Sequence, residues 1–281
     1  MGTAEARGER LSVLLAADAA GELENYLLAN SGLPGPRGNL ELAHVLAELL
    51  ARKAPGPAVR ASLAAWRALT AEEAPAGDPG EYLCFCGTLA WGADWVRGPG
   101  GRGSGSGSRS GVRGRAQILR DLRQAAGDQR WRRREAVAMA LQRIGEAQPT
   151  ALLALLASWL ARGSFQELRA AAAALAHPPL LRAPAFARQA LALADRIMRR
   201  VAAASPAERR EEDFRVLRQG LGYALSVLAA AEPERGFALL ERWAACRDPE
   251  VAWILRENLK KKRLAPHAGR AARLSAVLGG K

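Results

Sequence analysis

The residues best equipped for chemistry lie in two short runs. Arg130-Trp131-Arg132-Arg133-Arg134 sets four guanidinium groups around one indole. A guanidinium fork takes phosphate oxygens two at a time, and an indole stacks on a nucleobase or on another guanidinium. The second run, Lys260-Lys261-Lys262-Arg263, offers three ammonium groups and a further guanidinium. Such a run neutralises phosphates as point charges. Each run also has a reading that needs no ligand. Consecutive arginines fan around a helix start and some pair internally, while cations at a helix C-terminus are favoured by the dipole alone. A third source of positive charge is Arg102, Arg109, Arg113 and Arg115, set among Gly and Ser. These either make loose, salt-sensitive contacts with nucleic acid or belong to a solubilising insertion.

Other chemistry is poorly supplied. Cys84 and Cys86 form a single C-x-C with no second half, and Cys246, His44, His177 and His267 are scattered. Structural zinc takes four ligands at short, paired spacings, so no metal is expected and the cysteines read as small buried apolar residues. No nucleophile elbow, P-loop or dinucleotide-binding glycine motif ahead of a helix stands out, so no cofactor is expected. The adjacent carboxylates Glu72-Glu73 and Glu211-Glu212 fall in loop or helix-start positions, where they read as caps or solvated charge. No residue is assigned a catalytic role.

The charge is unevenly spread. The 281 residues carry 41 Lys plus Arg against 28 Asp plus Glu, a formal net charge of +13. Residues 98–145 hold 11 basic and 3 acidic side chains, and residues 256–281 hold 8 and 1; residues 1–97 are net −4 and residues 146–255 net +2. A drift toward Arg-rich codons would spread the arginines evenly. Two concentrated basic blocks fit a polyanion footprint, and a groove for one polyanion requires 130–134 and 260–263 to share a surface.

Composition sets the class. Hydrophobic residues make up 49% of the chain, which excludes a disordered chain and supplies a real core. Ala and Leu dominate, aromatics are 5%, and runs of Val, Ile and Thr are absent, which points to an all-helical fold. No uncharged apolar stretch reaches the roughly 18 residues of a membrane span, so no membrane partner is expected. Met1 to Arg10 carry Glu5, Arg7, Glu9 and Arg10 and no apolar core, so no signal peptide is expected. Three cysteines are too few for a disulfide framework and fit a reducing, cytoplasmic location.

The elements that must position these residues are helices. One or two short helices occupy 10–30, and a Pro- and Gly-dense loop covers 31–38. Asn39 is an N-cap for a helix over 40–53, and Leu42, Val45, Leu46, Leu49 and Leu50 recur at helical spacing. A helix near 57–70, an acidic loop at 71–80 and a buried apolar helix over 81–97 follow. Residues 98–115, low-complexity Gly, Ser and Arg, read as a flexible linker or insertion. Beyond it the periodicity predicts helices at 116–126, 129–145, 150–162, 165–176, 184–204, 207–231, 234–246 and 250–263. Capping residues Asp128, Ser164, Asp213 and Asp248 precede several of them at intervals of 36, 49 and 35 residues. A two-helix period of this length is the mark of an α-solenoid.

Residues 118–144 (ILRDLRQAAGDQRWRRREAVAMALQRI) resemble a HEAT repeat: an apolar helix, a short turn with Asp, then an apolar-Arg-x-x-Ala helix. Asp248 to Leu259 resembles a terminal repeat of the same kind, and the resemblance covers about 116–265. It implies an all-α, right-handed α-solenoid of antiparallel helix pairs. In it each turn Asp caps the second helix of its pair, and Arg in that helix reaches an Asp of the adjacent repeat. The expected organisation is an N-terminal helical region (1–97), the linker (98–115), HEAT-like repeats (116–265) and a basic tail (266–281). Trp131-Arg132-Arg133-Arg134-Glu135-Ala136 is also similar to the second helix of repeats in the HEAT-like-repeat alkylpurine DNA glycosylases. Those enzymes bind DNA on a basic concave face and use Trp side chains with an Asp to excise alkylated bases. No catalytic Asp is matched here, because Asp128 and Asp248 occupy cap positions. The expected function is therefore non-enzymatic binding of nucleic acid, DNA foremost, or of an acidic protein, through Arg130 to Arg134 and Lys260 to Arg263. Excision of alkylated bases is the alternative.

Overall fold

The computed structural model describes residues 4–98 and 109–279. The chain divides into two compact units, Met1–Ala147 and Gln148–Lys281. Among the described residues every regular element is helical, as the composition predicts.

The first unit contains α1 (Ala4–Ala16), α2 (Ala20–Ala29), α3 (Leu40–Arg52), α4 (Pro57–Ala68), α5 (Pro79–Arg97), α6 (Arg109–Ala125) and α7 (Trp131–Ala147). Helix α5 is apolar on every side, and every residue from Glu81 to Ala93 is buried. A helix without a polar face must be surrounded, and α2, α3, α4, α6 and α7 all pack on it. Its approach to α7 depends on Gly92, where a Cβ would stand 2.8 Å from the Ala140 carbonyl oxygen. Asn39 accepts the Leu42 amide at 3.1 Å and so starts α3, as its position predicts. Asp78 accepts the Gly80 amide at 2.7 Å and starts α5.

The second unit contains α8 (Pro149–Arg162), α9 (Phe165–Leu175), α10 (Pro178–Leu181), α11 (Pro184–Ala202), a 3-10 turn (Glu208–Arg210), α12 (Glu212–Ala231), α13 (Pro233–Ala244), α14 (Pro249–Leu259), a second 3-10 turn (Lys262–His267) and α15 (Ala268–Gly279). Helix α12 lies between α9 and α14, and α11 contacts both α8 and α13. Polar rungs tie the inner helices together. Gln166 of α9 donates to Asp213 of α12 at 2.8 Å. Arg218 of α12 pairs with Glu250 of α14. The fully buried Asn258 accepts the Ser226 amide at 2.7 Å and donates to the Leu221 carbonyl at 2.8 Å. Ser164 and Glu167 form a reciprocal capping box at the start of α9, and Asp248 accepts the Glu250 and Val251 amides at the start of α14.

Five expectations change. Of the segment 98–115, residues 99–108 lie outside the described residues, while 109–115 belong to α6. The division between units falls at 147–148 instead of at that segment. Asp213 lies inside α12 and accepts from Gln166, so it bridges helices instead of capping one. The last predicted helix stops at Leu259, because the chain turns to bury Leu264. Residues 268–279 then form α15, whose Leu274 and Leu278 are buried, where a tail is expected.

Candidate nucleic-acid interface

The Gly127-Asp128 turn brings the first basic run onto the start of α7. Asp128 accepts four N–H groups: the Arg130 amide at 2.8 Å, Arg130 Nε and Nη2 at 2.9 Å each, and Arg133 Nη1 at 2.9 Å. Arg130 continues into the loop after α4. Its Nη1 donates to the Thr70 and Ala74 carbonyls at 2.9 and 3.2 Å, and its Nη2 to the Leu69 carbonyl at 2.9 Å. A guanidinium has five N–H donors, and all five are taken. The physical reason is local. The chain leaves α4 in a loop that closes only single turns, such as the Ala74 amide on the Thr70 carbonyl at 3.1 Å, and a forked cation serves several of its carbonyls at once.

The neighbours behave alike. Arg132 is 7% exposed; it pairs with the buried Glu81 at 2.9 Å and donates to the Gly35 carbonyl at 2.7 Å. Arg133, half-buried, also donates to the Arg67 carbonyl at 2.7 Å. Arg134 Nη1 donates to the carbonyls of Asp128 and Gln129 at 2.7 and 3.0 Å. Phosphate contact by Arg130 and Arg132 is thus replaced by internal bonding, because both are buried and Arg130 has no donor left. Trp131 is 46% exposed, with the Arg132 guanidinium 4.4 Å over its ring. Burial pushes the Asp128 carboxyl up. The hydrogen bonds from Arg130 and the charges of Arg130 and Arg133 outweigh this and hold the carboxyl below its usual value.

A base-excising site needs a carboxylate free to act beside aromatic rings. The first unit has an open cleft of about 880 Å³ in which Trp91, Arg67, Asp121 and Asp128 meet. Its carboxylates are engaged: Asp128 as above, and Asp121 with Gln117 at 2.6 Å. The Arg67 guanidinium lies 5.2 Å over the Trp91 ring.

The second basic run belongs to the other unit and is differently placed. Lys260, just past α14, pairs with Glu257 at 2.5 Å. That hydrogen bond, opposed by desolvation and aided by the charges of Lys260 and Lys261, holds the Glu257 carboxyl below its usual range. Lys262 is exposed and opens the 3-10 turn anchored by Leu264. The Arg263 guanidinium lies 4.2 Å over the ring of Tyr223, which is 52% exposed. Arg263 also lines an open groove of about 470 Å³ together with Arg182. The groove is otherwise apolar, walled by Pro178 and Leu181 on one side and by Val227 and Ala230 of α12 on the other, and no acidic side chain lines it. Tyr223, Val227 and Ala230 stand at i, i+4 and i+7, so the tyrosine shares their face of α12 one helical turn before the groove's lining, and Arg263 touches both.

Arg182 and Tyr223 are absent from the sequence-derived set. For Tyr223 a signal existed. Phe214, Leu217, Leu221, Leu225 and Leu228 define the buried stripe of α12, and Tyr223 is a large aromatic off that stripe. For Arg182, an exposed residue between two apolar-and-proline turns, the sequence carries no such sign. Among the described residues no group of three or more His, Cys, Asp or Glu could hold a metal, and no helix is long and apolar enough to cross a membrane. No protein-family model, curated protein or solved structure matches the chain.

Proposed function

We propose that the protein is a HEAT-like helical-repeat binding module, a right-handed α-solenoid without enzymatic activity, that engages nucleic acid through the basic surface of its second unit. The observation that carries this reading is the pairing of Arg182 and Arg263 along one groove that no carboxylate lines, next to the exposed Lys262. The row of α9, α12 and α14 with its polar rungs supports the repeat reading. Phosphates attract such a surface without regard to sequence, and their share of the affinity is visible in its salt dependence.

The test is fluorescence anisotropy with labelled DNA and RNA at several salt concentrations. Affinity is expected to fall steeply between about 50 and 200 mM salt, and Arg182→Ala, Lys262→Ala and Arg263→Ala each to flatten the slope by about one phosphate contact. Affinity indifferent to salt, or to all three substitutions, would sink the reading in favour of an acidic protein partner. The alternative, excision of alkylated bases, draws on the cleft that holds Trp91 and Asp128. A base-release assay on methylated DNA separates the two, and release above that of a control without protein would establish the enzyme.

A further inference from the structure

Beyond general nucleic-acid binding, and resting on that reading, we infer that the groove of the second unit selects single-stranded nucleic acid and that Tyr223 is its base-stacking platform. Three observations converge there. Tyr223 leaves 52% of its surface open while the Arg263 guanidinium carbon stands 4.2 Å from its ring centre, and Arg263 also lines the groove, so an aromatic ring and a planar cation are offered together beside it. The walls are apolar, from Pro178, Leu181, Pro184, Val227 and Ala230, a lining that gains nothing from a row of phosphates. The charges at the rim, Arg182 and Arg263, are few and both of one sign.

A duplex keeps its bases stacked inside and presents phosphates. Against it, the two guanidiniums would find partners, but the apolar walls and the tyrosine would be dehydrated without an apolar surface in return. A single strand has unstacked bases whose faces fit an apolar wall and an aromatic ring, while its backbone satisfies the guanidiniums. The groove lining has no carboxylate and, apart from the two guanidiniums, no polar side chain. Stacking strength rather than hydrogen-bond readout therefore governs any preference among bases.

The experiment compares a fluorescein-labelled oligothymidylate of about 12 nucleotides with a mixed-sequence duplex of the same length at one salt concentration, within the span that single-strand grooves cover. The single strand is expected to bind about tenfold tighter. Tyr223→Ala is expected to weaken the single strand by about tenfold and leave the duplex unchanged, and Tyr223→Phe, which keeps the ring, to restore most of the loss. Tyr223 is half-exposed, so the alanine variant folds, as circular dichroism will report. Equal affinity for strand and duplex, or no effect of Tyr223→Ala on the strand, overturns this inference and leaves nucleic-acid binding standing. Absence of binding to both probes overturns the underlying reading as well.

Discussion

Arg130 separates the two meanings of a basic run most sharply. Replacing it with alanine removes all five N–H donors at once, leaving Asp128 with Arg133 and the Arg130 amide, and leaving the Leu69, Thr70 and Ala74 carbonyls without this partner. Breaking a buried ion pair from one side costs roughly 3–5 kcal/mol. The lower end applies, because Arg133 still neutralises Asp128 and the exposed Thr70 can pass its carbonyl to water. About 3 kcal/mol is therefore expected, a large part of a domain's stability. For a unit of this size that corresponds to a fall in Tm of about 6–12 °C. Arg130→Lys is expected to lose about 2 kcal/mol, since an ammonium has three donors and no fork with which to serve a carboxylate and three carbonyls together. Urea titration supplies the free energy, and peptide-resolved hydrogen exchange should assign the loss to Met1–Ala147. A loss below about 1 kcal/mol, with a salt slope of nucleic-acid binding reduced by about one, would refute this account and restore Arg130 as a phosphate ligand.

Other consequences can be checked by the same methods. Gly92→Ala should cost about 1–3 kcal/mol, because the added Cβ would meet the Ala140 Cα at 2.9 Å and force α5 from α7; an unchanged urea midpoint would contradict that contact. Asp248→Ala should cost about 2 kcal/mol, by loss of the cap on α14 and of the ion pair to Arg209; Asp248→Asn, which keeps the cap, should recover about half. Asp128 has its carboxyl held below the ordinary value of 3.8, so its contribution to stability is complete above that value and lost as pH falls through the lower, folded one. Urea midpoints of wild type and Asp128→Asn should converge as pH drops below about 4, and a constant gap down to the acid limit would contradict the pairing. Burial raises the Cys84 and Cys86 thiols, whereas Cys246 is partly exposed. A thiol reagent should label one cysteine per native chain quickly and the other two only on unfolding.

Helices were legible in the sequence because their signals are local. Asn39, Ser164 and Asp248 cap the helices that their positions announce, and the spacing of Leu42, Leu46 and Leu50 becomes the buried face of α3. The functional surface was legible only in part, because the availability of a charge depends on residues far along the chain. Nothing near Arg130 indicates that three carbonyls at positions 69, 70 and 74 wait for it, or that Glu81 and Gly35 take up Arg132. The sequence marks Lys260 to Arg263 as a helix end, but the run straddles a turn whose direction is set by burial of Leu264, and that turn lays Arg263 on Tyr223.

The net charge, too, is partly consumed inside the fold. Asp128 is shared by Arg130 and Arg133, Asp94 by Arg67 and Arg97, and Asp195 by Arg199 and Arg242. Each trio leaves one positive charge. In the first unit it serves packing, where the second arginine is also held by carbonyls such as Arg67 O and Leu50 O; Arg199 and Arg242 of the second unit stay exposed beside Asp195. Part of the excess of arginine in the first unit thus follows from joining helices through forked donors, and those buried guanidiniums have little left to offer a phosphate at contact distance. What distinguishes Arg182, Lys262 and Arg263 is the company they keep. They stand on an exposed turn and along an apolar groove without an acidic neighbour on its walls, where a cation is hydrated by water and can exchange that water for phosphate.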